Sequence, residues 1–92
     1  MIVRISNEGQ YEISAVDAPA LGELDNEAVA ACESDDEQRF RETFERLLSF
    51  IRAHGRPVPD DELVASEVIF PPPDVSLAEA SKDFSGEGLI PG

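Results

Sequence analysis

Apolar positions change their period three times along this chain. Residues 2–5 (Ile-Val-Arg-Ile) and 10–14 (Gln-Tyr-Glu-Ile-Ser) are β-prone, and the second run alternates polar and apolar. Asn7-Glu8-Gly9 between them supplies turn chemistry, because Asn and Gly tolerate positive φ. A β-hairpin over residues 1–14 follows, with Val3, Ile5, Tyr11 and Ile13 on one face. A two-stranded hairpin is marginal alone, so that face must pack on helices.

The period then lengthens to that of a helix. A first helix is predicted over 17–33, with Asp17 as cap and Pro19 in the first turn, where a missing N–H costs little. Leu21, Leu24, Ala28 and Ala31 or Cys32 fall at helical spacing, and Gly22 weakens the helix locally. A second helix ends at His54. Ser34-Asp35-Asp36-Glu37 reads as its capping box, and Phe40, Phe44, Leu47, Leu48 and Ile51 form one apolar stripe. Acids lie at its positive end, and Arg52 and His54 at its negative end. Glu42 with Arg46 and Arg41 with Glu45 are spaced for i,i+4 pairs. Gly55 and Pro57 stop the helix. The short junction folds 17–54 into an antiparallel helical hairpin.

Residues 56–75 lose the period. Five of the seven prolines lie here, with two apolar clusters, Leu63-Val64 and Val68-Ile69-Phe70. The stretch reads as an extended arm lying along a surface, of this chain or of a partner. Pro71-Pro72-Pro73 is either a rigid corner or a polyproline II ligand. Ser76-Leu77-Ala78-Glu79 repeats the capping pattern and starts a short third helix to about Phe84, within a final segment 76–92. The end, Gly88-Leu89-Ile90-Pro91-Gly92, is an apolar tip that docks on its own core or in a partner groove. The fold class is α+β: one domain over 1–92, an N-terminal β-hairpin packed on an antiparallel helical hairpin, with a proline-rich extended arm and a short third helix.

Charge narrows the function. The net charge is −13 on 92 residues. Such a surface repels phosphate backbones and anionic headgroups, which disfavours nucleic acid and direct membrane insertion. Five of the seven basic residues lie on the second helix or just past it, while residues 58–92 hold eight acids and Lys82 alone. Pairing between the acidic arm and the Arg-bearing helix is the plain expectation. No leader and no apolar run near ~20 residues is visible, so a cytoplasmic protein is expected.

Reactive side chains are few. Cys32 and His54 end different helices of the hairpin, about 30 Å apart, too far for a nucleophile pair. The runs Asp35-Asp36-Glu37 and Asp60-Asp61-Glu62 lack the spaced ligands of a calcium loop. Zinc spacing, phosphate loops and Ser-His-Asp sets are absent from the sequence. The expectation is no enzyme, no cofactor and no metal, but an interaction module. Its candidate contact residues are Phe50, which lies off the main stripe, Leu63, Val64, Ile69, Phe70, Leu89 and Ile90.

The opening Met-Ile-Val-Arg-Ile with Glu8-Gly9-Gln10-Tyr11, the block Pro57-Val58-Pro59-Asp60-Asp61-Glu62-Leu63-Val64, the Ile69-Phe70-Pro71-Pro72 step, the Ser76-Leu77-Ala78-Glu79 start and the Glu87-Gly88-Leu89-Ile90-Pro91-Gly92 end together resemble the phage-shock-protein-A-associated small domain family, PspAA. The resemblance implies a non-enzymatic adaptor or regulator of the envelope stress response. Its implied partner is a phage shock protein A homologue, a coiled-coil, membrane-remodelling protein. It carries over no binding residues. The rival readings are an acidic nucleic-acid mimic or other protein-interaction module and, further off, a small metal-dependent enzyme.

Overall fold

A computed structural model describes residues 1–59, 61, 62 and 64–83. The elements in chain order are β1 (Ile2–Ile5), β2 (Gly9–Glu12), α1 (Ala18–Glu33), α2 (Glu37–His54), β3 (Arg56–Val58), β4 (Val68–Phe70) and α3 (Leu77–Asp83). The architecture is α+β.

β1 and β2 form the expected antiparallel hairpin, with Val3 opposite Tyr11 and Ile5 opposite Gly9. Asn7 takes φ +67 in its turn, as an Asn can. The hairpin does not stand as two strands. The arm adds a strand at each side, giving one four-stranded sheet in the order β3-β2-β1-β4. β3 is antiparallel to β2, and β4 is parallel to β1. The arm therefore lies on this chain's own sheet. Residues 64 and 66, before its second strand, meet the sheet at Gln10, which pairs with Arg4. There Gln10 Nε2 donates to the Val64 carbonyl at 3.1 Å and to Ser66 Oγ at 2.6 Å. The Glu67 N–H then donates to the Ile2 carbonyl at 2.8 Å, leading into β4.

The helical hairpin forms as its periodicity requires, but its ends are made differently. Asp17 occupies the cap position of α1 with helical φ and ψ, and its carboxylate makes no cap bond. Ser14 closes this end instead, its carbonyl accepting from the Asp17 and Ala18 N–H groups. Ser34 is the C-cap of α1, not the cap of α2. Asp35 swings to φ +54, and the Asp36 and Asp35 N–H groups donate back to Ala31 and Cys32 carbonyls, both at 3.1 Å. Asp36 then caps α2 by accepting from the Arg39 N–H at 3.0 Å. The residue freed to leave helical space is thus followed at once by the residue that starts the next helix, which is why the junction is so short.

The core lies between the helices and one sheet face. Val3, Ile5 and Ile13 meet Leu21 and Ala28 of α1, the Phe40–Phe44 stack with Leu47 and Ile51 of α2, and Phe70 of β4. Asp25 is only 1 % exposed on the inner side of α1. A carboxylate so buried requires a partner, and Asp25 is not left without one. The polyproline step is a corner: Pro71 is buried, and the Val75 N–H donates to the Pro72 carbonyl at 3.0 Å. α3 begins where expected, the Glu79 N–H donating to Ser76 Oγ at 3.2 Å, and packs on α1.

Candidate interaction surface

The candidate contact residues fall into three places. Phe70 is fully buried in β4 and belongs to the core, so it leaves the surface set. A buried Phe side chain stabilises the fold by about 1.5–3 kcal/mol through transfer from water alone, a role incompatible with waiting for a partner. Ile69 and Val64 are exposed, at 56 % and 42 %. The alternation of β4 explains the contrast between neighbours: Val68 and Phe70 point to the core, and Ile69 points with Arg4 to the far sheet face. Phe50 is half-buried on α2 and stacks on His54, ring centroids 4.3 Å apart. Leu63, Leu89 and Ile90 lie outside the described residues.

Phe50 opens a feature that the stripe analysis missed. It lines a groove with Leu24 of α1 and with Glu42, Glu45, Arg46, Ser49, Ala53 and His54 of α2. The α2 residues form the helical row next to the core stripe, so their spacing carried the signal. Leu24 enters only through the register of the hairpin, which sequence spacing does not supply.

Three arginines, Arg41, Arg52 and Arg56, are tied down, and among the described residues their ion pairs are not with acids of the arm. Arg52 clasps Glu8 in the hairpin turn, Nε at 2.9 Å and a terminal nitrogen at 2.5 Å. The Tyr11 hydroxyl donates to the same carboxylate at 2.9 Å. These bonds, the Arg52 guanidinium first, hold the Glu8 carboxyl below the usual carboxylate range, and the same contact with Glu8 pushes the Tyr11 hydroxyl up. Arg56 of β3 pairs with Glu12 of β2 at 2.8 Å, directly opposite it in the sheet. Arg41 binds arm carbonyls rather than carboxylates, donating to Val75 and, at 3.4 Å, to Pro73. The hairpin acids Glu8 and Glu12 take Arg52 and Arg56, while Arg56 also feels the charge of Glu62 in the arm.

Cys32 is buried near the end of α1, and burial pushes its thiol up, away from the thiolate that nucleophilic chemistry needs. Among the described residues, no group of three or more His, Cys, Asp or Glu side chains is placed to hold a metal ion. Asp36 of the first acidic run is engaged as a helix cap. Among the described residues, no helix is long and apolar enough to cross a membrane. Among the described residues the surface carries an apolar groove with charged rims.

A family model described as PspA-Associated protein (PspAA) matches residues 1–92, and the chain belongs to that family. No curated protein and no solved structure matches it.

Proposed function

From membership of the PspA-associated family, we propose that this chain is a non-enzymatic adaptor that binds a phage shock protein A homologue and regulates the envelope stress response. The family match over the full length carries the reading. The −13 charge supports a protein partner over nucleic acid or lipid, and the groove at Phe50 is a surface suited to it. On this reading the protein acts in the cytoplasm and reaches the membrane only through its partner. Charge speeds the encounter and apolar contacts set the affinity.

Co-purification from the native cell, with identification of what comes along, tests the proposal. The expected result is recovery of the phage shock protein A homologue at low salt. Its absence, with a basic nucleic-acid-binding protein recovered instead, would favour the nucleic-acid-mimic reading.

A further inference from the structure

On their outer side α1 and α2 carry apolar surface that the described residues leave uncovered. Leu24 and Phe50 are both half-buried, packed on the core below and open to the groove above. Ala53 and the Phe50–His54 stack complete an apolar floor. The walls are acidic. Glu42 and Glu45 line the groove, and Asp17 stands 3.9 Å from His54 at one end. Glu23 and Glu27, both exposed, flank Leu24 on α1. Against these five carboxylates stand Arg46 and His54. Neither Glu45 nor Arg46 is in an ion pair among the described residues.

A trough between two antiparallel helices accepts a third helix, whose side-chain ridge fills it. An apolar floor selects a ligand helix with an apolar stripe, and carboxylate walls select Lys or Arg beside that stripe. A second copy of this chain fits poorly, because it brings another −13 of charge to an acidic rim. We propose that the Leu24–Phe50 groove docks a basic amphipathic helix of a protein partner. This rests on the reading that the chain works by binding a protein, and names the chemistry of the segment it grips.

The test uses the full chain, isotope-labelled, titrated with a synthetic amphipathic helix of Leu and Lys about 18 residues long, five turns. A scrambled peptide of the same composition is the control. Amide shifts should cluster at Leu24, Glu42, Glu45, Ser49, Phe50 and Ala53. The scrambled peptide should bind at least tenfold more weakly, and so should the helix to the Glu42→Lys/Glu45→Lys variant, whose exposed substitutions leave the core intact. Shifts spread over the acidic surface, or equal affinity for both peptides, overturn the proposal. So do groove shifts that appear with protein concentration alone, which assign the site to a second copy, or a large gain in affinity on removing residues 84–92, which assigns it to the chain's own end. Capture of the phage shock protein A homologue by wild type and double variant alike sinks the groove and keeps the adaptor. Failure of wild type to capture it, with peptide shifts in place, sinks the adaptor and keeps the groove.

Discussion

Gly22 and Gly55 carry the same side chain for different reasons, and one substitution separates them. A Cβ at Gly22 meets nothing within 4 Å, in a helix where Gly is the poorest ordinary choice. Gly22→Ala should stabilise the fold by about 0.4–1 kcal/mol, raising the melting temperature by about 2–6 °C. A Cβ at Gly55 would stand 2.5 Å from the Ile51 carbonyl oxygen and 2.9 Å from Tyr11 Cβ. Its backbone is extended, φ −78, so crowding and not a left-handed turn demands the glycine. Gly55→Ala should destabilise by about 1–3 kcal/mol, as overpacking does. Thermal melts of the two variants check both signs. Reading Gly55 as a helix stop located the boundary correctly and missed this cause, because close approach between α2 and β2 joins residues more than forty positions apart.

Elements are joined here by few but specific ties, and the clasp of Arg52 on Glu8 is the clearest. It bolts the end of α2 to the hairpin turn. Because the folded Glu8 carboxyl titrates below its ordinary value, its contribution is fully present above the unfolded carboxylate range and is lost as pH falls through the folded value. The pair is partly exposed, so about 0.5–1 kcal/mol is the expected size. Denaturation of Glu8→Gln beside wild type should show that gap at pH 7 and see it close below about pH 4. A gap independent of pH would mean that the clasp acts through packing alone. The hairpin, both long helices and the start of α3 were legible in the sequence, since local periodicity and turn chemistry decide them. The four-stranded sheet was not. β3 and β4 are three residues each, interrupted or followed by proline, and owe their strand geometry to partners 44 to 65 positions away. The same distance hid the pairing of Arg52 and Arg56 with hairpin acids. At the candidate surface, Phe50 stood out because it lies off the apolar stripe of its helix, and Ile69 entered only with its apolar triplet. Phe70 was misplaced because an apolar triplet looks alike on either face until its register is set.

At the scale of the molecule the unbalanced charge dominates. Thirteen net negative charges sit on a body with a radius of gyration of 12.5 Å, comparable to the Debye length of about 10 Å at 0.1 M salt. Repulsion therefore reaches across the whole protein at low salt and is largely screened at physiological ionic strength. Screening also weakens the Arg52–Glu8 and Arg56–Glu12 pairs, but both are exposed to solvent and such pairs are weak. Relief of repulsion should win, so the melting temperature should rise as sodium chloride goes from about 10 to 150 mM. Binding to a basic partner should move the other way, because the same ions screen the attraction that draws the two together. The two responses have one source and opposite signs, and both are measured on the unmodified chain. A melting temperature that falls with salt would show that the ion pairs outweigh the repulsion. An affinity indifferent to salt would leave the apolar floor of the groove to hold the partner alone, and with it would go any role for the acidic walls.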